Sequence, residues 1–352
     1  MDLEAVGKRA EKLRNAVEGI EYIRFRDKHN GIERGSVIIG KRTIVGFPHI
    51  RRIFTLTKGL LRNMKAEKFY AEEKIDGFNI RIAFIEGEIY AFSRGGFLDS
   101  FVTEKAREMD LEKFFADFPD YVICAEMIGN TPYTVGTNKF DVKMFIFGIV
   151  RGDGAHLTPD ERYQLVKKYM LSGVPVIGCF SHKDRKKLVD AIIEINNSSK
   201  EGIVFKSLDN REIVKYVTPQ SDIEDIAKSS SIFFDMPIGF YHQRILRSAF
   251  FMSDFQLPKK KYVELLGRAF YDGLEQSLKK AADGKEIDEE FEIRIKNPKI
   301  WDDILGHMSR EVSIEELERK VDGKWTRIKF RKIYKKTTRI LKSYVNGKGI
   351  ED

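Results

Sequence analysis

The chain has 352 residues, 42% of them apolar and 33% charged, which describes a folded protein with a heavily ionised surface and excludes a disordered or fibrous polymer. That length holds more than one domain, and no stretch approaches the roughly 18 uncharged residues of a membrane helix. A net charge of +8 suits polyanionic partners and, equally, a plain solvated surface.

The opening MDLEAVGKRAEKLRNAVEGI mixes both charge signs at helical spacing, which predicts an amphipathic helix and has none of the layout of a secretory signal. A cytoplasmic address is therefore expected. Strand-like text follows over 21–25, 35–39 and 42–47, so residues 1–60 read as a small β-rich module. From 61 to 228 the pattern is an α+β domain of antiparallel sheets, with strands over 68–73, 78–85, 88–93, 121–127, 143–150, 202–206 and 213–217. Two helices interrupt them: one opens with Thr158 as N-cap and Pro159 in the first turn, the other runs over 183–195.

Beyond Pro219 the text reads as helical, including 286–295 and 313–343, which divides the remainder into helical domains over 229–297 and 298–352. Cys124 and Cys179 both sit in apolar runs and are expected to be buried free thiols, and the six histidines have no zinc-ligand spacing. Abundant Lys, Glu, Ile and Arg with few Gln is the bias of heat-adapted proteins.

The stretch Glu72-Glu73-Lys74-Ile75-Asp76-Gly77-Phe78-Asn79 places a lysine between two strands at an Asp-Gly turn. Alone, such a turn is equally an ordinary solvated hairpin. Downstream, in order, come Ser93-Arg94-Gly95-Gly96, Ala125-Glu126-Met127, Phe145-Ile146-Phe147-Gly148, Glu201-Gly202-Ile203-Val204-Phe205-Lys206 and Val214-Lys215-Tyr216, each in or at the end of an expected strand. With this series the chain resembles the covalent nucleotidyltransferases, the superfamily of ATP-dependent DNA and RNA ligases and mRNA capping enzymes. The string EEKIDGFN, the β-rich start and the helical C-terminal half, in place of a barrel ending in Arg-x-Asp-Lys, make it similar, more narrowly, to the homodimeric archaeal ATP-dependent RNA ligases.

The resemblance implies that Lys74 is the nucleophile that takes AMP from ATP. A lysine attacks only when neutral, so it needs a dry pocket or neighbouring positive charge. By the same resemblance Asp76 belongs to the catalytic set and Glu201 holds Mg²⁺ or Mn²⁺. Lys206 and Lys215 would face the α-phosphate, Glu126 the ribose hydroxyls, and Asn79 the nucleoside or its phosphate. Arg94 would serve the sugar or the acceptor end, and Phe147 would stack on adenine. Glu72 could read the adenine amino group, with Glu73 the competing choice. Related RNA ligases often carry Lys-x-Lys in the last motif; here the first of those positions is Ile213.

The partners implied are RNA with 5′-phosphate and 3′-hydroxyl ends and a second copy of the chain, without a membrane. Aromatic and methionine residues over 232–252 would form the dimer surface or an internal core. A helix over 324–344, with Phe330, Ile333, Thr337 and Leu341 on one side and Lys329, Lys336 and Arg339 elsewhere, would offer RNA a basic face. The other functions to separate from RNA ligation are DNA sealing without a barrel domain and RNA binding by an inactive nucleotidyltransferase fold.

Overall fold

The computed structural model describes residues 9–135, 138, 140–308 and 312–349. Strands β1 (Ala10–Arg14), β2 (Glu21–Phe25), β3 (Val37–Ile39) and β4 (Arg42–Ile44) make an antiparallel sheet in that order. Residues 10–14 are therefore a strand and not part of an opening helix, whose first eight residues lie outside the described ones. Register with β2, from Ala10↔Phe25 to Arg14↔Glu21, outweighs their helical propensity. Tyr22, Val37, Ile39 and Ile44 turn inward and share a core with Ala83, Phe92, Cys124 and Val150 of the next layer.

The central domain comprises β5 (Arg51–Arg52), α1 (Leu56–Asn63), β6 (Lys68–Lys74), β7 (Phe78–Ile85), β8 (Glu88–Ser93), α2 (Ser100–Arg107), α3 (Glu112–Asp117), β9 (Val122–Gly129), β10 (Val142–Val150), α4 (Pro159–Lys168), β11 (Val176–Ser181), α5 (Arg185–Asn197), β12 (Gly202–Ser207) and β13 (Ile213–Val217). It holds two sheets, ordered β10-β9-β7-β8 and β11-β6-β12-β13-β5, antiparallel except where β5 runs parallel to β13. Ile53, Leu56 and Leu60 enter the second sheet's core with Phe69, Phe205 and Tyr216, so β5 and α1 belong to this domain although they precede residue 61. α4 opens with the expected cap: Thr158 and Glu161 close a reciprocal capping box and Pro159 occupies the first turn. α2 and α3 were not legible as helices. Cys124 is buried as expected, but Cys179 is exposed, because it lies on β11 at the edge of its sheet.

α6 (Pro219–Ser229), a 3-10 turn (Ser230–Asp235), α7 (Ile238–Phe255) and α8 (Lys259–Ala282) are helical as the text implied. The C-terminal segment departs from that pattern: β14 (Asp288–Ile295), α9 (Lys299–Met308), β15 (Ser313–Asp322), β16 (Trp325–Ile333) and α10 (Lys335–Val345) include a three-stranded sheet ordered β14-β16-β15. The expected helices over 286–295 and 313–343, and a helical domain over 298–352, are thus replaced by antiparallel strands with a short terminal helix. The physical cause is an apolar face of period two: Phe291, Ile293, Ile295, Ile328 and Phe330 are buried, and they join Trp301 in the core that also holds Phe101 and Val102 of α2. The basic helix face shrinks to α10, where Lys335, Lys336 and Arg339 are exposed. Lys332 points inward and donates to the Pro132 carbonyl at 2.7 Å, and Arg331 pairs with Glu315. Among the described residues no helix is long and apolar enough to cross a membrane.

Candidate active site

Alternation along β6 buries Phe69 and Ala71 on one side and leaves Tyr70, Glu72 and Lys74 on the other. β12 pairs with it as Lys206↔Tyr70, Val204↔Glu72 and Gly202↔Lys74, and β13 continues the row with Lys215↔Val204. One sheet face therefore carries Glu72, Lys74, Val204, Lys206 and Lys215. The opposing wall comes from the other sheet, where Asn79↔Glu126 are paired across β7 and β9. On β10 the register shifts between Ile146 and Gly148, a bulge that separates Phe147 from the ladder and turns it to the cleft, where its ring meets Phe47 edge-on at 5.0 Å. The cleft has a volume of about 690 Å³ and is lined by all of these and by Glu73, Arg94 and, from the N-terminal segment, Phe47, Pro48 and Ile50.

Gly77 has no left-handed backbone; it is required because a Cβ there would lie 2.4 Å from the Met127 carbonyl oxygen. The turn that carries Lys74 and Asp76 is thereby pressed onto β9. Lys74 Nζ is ion-paired with Glu201, the residue that leads into β12, and both side chains are mostly shielded from solvent. Burial pushes the Glu201 carboxyl above its ordinary range against the pull of Lys74, with Asp76 and Asp225 adding to the rise. Glu126 is pushed up to about 7, first by burial, and Lys74 only partly offsets this. Lys215 is pulled down to about 8 by burial and then by the positive charges of Arg52, Lys74 and Arg94. Asn79 Oδ1 is buried without a partner, an acceptor directed into a polar cleft.

The two lysines expected at one phosphate are diagonal neighbours on paired strands: Lys215 lies opposite Val204, two positions from Lys206. Lys215 also has Lys74 and Glu201 as electrostatic neighbours, so it stands along the face between Lys206 and the Lys74↔Gly202 pair. Lys206 Nζ is bound to Glu72 Oε2 at 2.9 Å and to the Phe147 carbonyl at 2.6 Å. Glu72 also accepts from Arg162 and from the Tyr163 hydroxyl, two side chains that the sequence did not bring forward, so its carboxylate is held by three donors. Glu73 pairs with Lys200 at the rim. Arg94 contacts His49 Nδ1 at 3.1 Å. Asp76 is exposed in its turn and lines a second cleft of about 1210 Å³ together with Lys74, Glu201, Asp225 and Lys228.

Among residues not foreseen, Arg162 and Tyr163 had one usable signal: they come just after the Thr158-Pro159 cap and so sit in the first turns of a helix beginning near the sheets. Arg52 had none, because its place beside Lys215 depends on the parallel pairing of β5 with β13.

Comparison with known proteins agrees with this geometry. The RNA ligase family matches residues 67–217, and the family described as the ligase Pab1020 C-terminal region matches residues 229–348. The uncharacterized protein MJ0414 of Methanocaldococcus jannaschii is 30% identical over 349 residues, spanning 93% of this chain and 88% of the relative. Among solved structures, a putative ATP-dependent DNA ligase from Aquifex aeolicus aligns with a TM-score of 0.92 at 31% identity, covering 99% of this chain and 98% of that one. An archaeal ATP-dependent RNA ligase (form 1) gives a TM-score of 0.91 at 26% identity, covering 99% and 95%. With both family regions matched in tandem and the whole architecture shared, the chain belongs to the archaeal ATP-dependent RNA ligase family.

Proposed function

We propose that this protein seals RNA ends in the cytoplasm through a lysyl-AMP intermediate. Lys74 Nζ, deprotonated, attacks the α-phosphorus of ATP; a P–N bond forms and pyrophosphate leaves. An RNA 5′-phosphate oxygen then displaces the lysine, and finally a 3′-hydroxyl attacks the capped end and AMP departs. The observation that carries this reading is the shared face of β6, β12 and β13, which sets Lys74 beside Glu201, then Glu72 and Lys215 in the row of Val204, then Lys206, along one cleft that Phe147 also lines.

That order supports distinct roles. Lys215, with Arg94 nearby, neutralises the equatorial oxygens of the α-phosphate as charge moves onto pyrophosphate. Glu126 and the unpartnered Asn79 hold the nucleoside, and Phe147 stacks on the base. Lys206, one diagonal step from Lys215, shares that work, and Glu72 acts by fixing Lys206 rather than by reaching adenine itself. Asp76 stays with the catalytic turn, facing the second cleft. Glu201 would hold Mg²⁺ or Mn²⁺: the crowding of its carboxylate by Asp76 and Asp225 suits a cation, and magnesium needs only one or two protein carboxylates when substrate phosphates complete its shell. Such an ion supplies positive charge against the phosphates.

Incubation with ATP labelled at the α-phosphate, in Mg²⁺, is expected to leave acid-labile label on the protein, which a 5′-phosphorylated RNA then removes as capped and sealed product. A protein that stays unlabelled, or label that RNA cannot remove, counts against the reading. The similarity to a putative DNA ligase favours DNA as the second possible acceptor. Nicked DNA and single-stranded RNA at equal enzyme and ATP decide between them. Retention of Lys74, Asp76, Glu126, Glu201, Lys206 and Lys215 in or beside the clefts weighs against an inactive domain.

A homodimer through the outer side of α7 and α8 completes the proposal. Phe233, Phe240, Tyr241 and Phe270 pack within the helical region itself, but Ile238, Val263 and Tyr271 remain 82%, 67% and 69% exposed. Light scattering at micromolar concentration is expected to give about twice the chain mass of 40.8 kDa; a monodisperse monomer removes the dimer.

A further inference from the structure

The open face of the C-terminal sheet has a charge pattern that its own folding does not explain. β16 runs through the middle, so each of its outward residues faces one residue on β14 and one on β15. Lys329 lies between Glu292 and Glu318, and Arg331 between Glu290 and Glu315. These two rows read acid, base, acid, the arrangement that cross-strand electrostatics favours. In the next row the pattern reverses: Arg327 lies between Arg294 and Lys320, three cations abreast. Like charges placed directly opposite are unfavourable.

Nearby carboxylates relieve the row chiefly at its ends, with Glu318 also within electrostatic reach of Arg327. Asp141 is shared between Arg294 at 3.0 Å and Lys105 at 2.8 Å, Lys320 is held by Glu318, and Arg327 makes no ion pair or hydrogen bond among the described residues. Beside the row, the Trp325 ring is approached by Arg294 at 4.1 Å, Lys296 at 4.4 Å, Lys105 at 4.9 Å and Lys324 at 5.8 Å. One indole with four cations concentrates positive charge further.

This row borders a groove of about 1470 Å³ between the sheet and the central domain. Asn138 and Phe140 line that groove and also the 1210 Å³ cleft that contains Lys74 and Glu201, so the two spaces adjoin at these residues. A chain of regularly spaced anions entering at the nucleophile would pass the cationic row. We propose that Arg294, Arg327 and Lys320 hold the sugar–phosphate backbone of single-stranded RNA leading away from the end bound at Lys74. The inference rests on the proposed ligase function and adds the surface that grips its substrate.

The test is Arg327→Glu in the full chain, with Lys186→Glu on the exposed first turn of α5 as a charge-matched control. Arg327→Glu converts the row to base, acid, base, so its melting temperature should equal or exceed that of the parent; a purely structural role for Arg327 predicts the opposite. Binding of a labelled 5′-phosphorylated single-stranded RNA should weaken about tenfold, and the slope of log affinity against log salt should fall by about 1. Parent-like affinity and slope overturn the proposal, as does an equal loss in the control or a loss confined to duplex DNA. Labelling by ATP is measured separately, so a parent chain that never labels ends the ligase reading while the binding data still decide the surface.

Discussion

Lys74→Ala is expected to lower formation of the labelled protein by about 10⁴-fold or more, because Lys206 and Lys215, the other lysines of that sheet face, stand on neighbouring strands and not at the turn from which Lys74 attacks. Lys74→Arg should do the same. Arginine keeps the positive charge opposite Glu201 but stays protonated, so the pair of variants separates nucleophilicity from charge. Both variants should still join an RNA whose 5′ end already carries AMP, since that step breaks no bond to the lysine. Lys74→Arg should retain more of this activity than Lys74→Ala, which leaves Glu201 without its cation. Label on either variant, or the loss of all sealing with pre-adenylated RNA in both, would mean that Lys74 acts otherwise than as the attacking amine.

The range of the interactions separates the features legible in the chain from those that were not. Lys74, Glu126, Glu201, Lys206 and Lys215 stand in or beside strands whose alternation is visible locally, so their common face was implied once the strands were identified. Their order along that face depends on register, which opposes Lys206 to Tyr70, Lys215 to Val204 and Arg52, and Lys74 to Gly202. No local pattern contains that. The C-terminal error has a specific origin. Phe330, Ile333, Tyr334, Thr337 and Leu341 recur at spacings of three and four, yet the first two end β16 and the last two belong to α10. A helical period was read across the junction of a strand and a helix. Within β16 itself the alternation of Thr326, Ile328 and Phe330 with Arg327, Lys329 and Arg331 was the correct signal.

Removal of the buried carboxylate behind the base pocket should produce the largest loss of stability. Glu72 is 1% exposed and receives Lys206, Arg162 and the Tyr163 hydroxyl; Arg162 is itself 2% exposed and Lys206 4%. Burial alone would raise the Glu72 carboxyl, but the nearby charges of Lys206 and Arg162 outweigh it and hold the group below its ordinary range. Glu72→Gln leaves two cations facing each other in a dry site, at a cost of roughly 3–5 kcal/mol. The sign with pH comes from the lowered value: the carboxylate's contribution is complete above its unfolded-state value near 4.5 and is lost as pH falls through the lower folded value. Parent and variant should therefore differ most near neutrality and converge in acid, as measured by denaturant unfolding from pH 3 to 8. Adding Arg162→Met should restore part of the loss by removing one of the stranded cations, whereas a salt bridge of no consequence would make the two substitutions simply additive. Since Lys206 is tied to both Glu72 and the Phe147 carbonyl, Glu72→Gln should also reduce labelling by ATP under conditions where the variant remains folded. Unchanged stability at pH 7 together with full labelling would show that neither the triad nor its hold on Lys206 matters to the site.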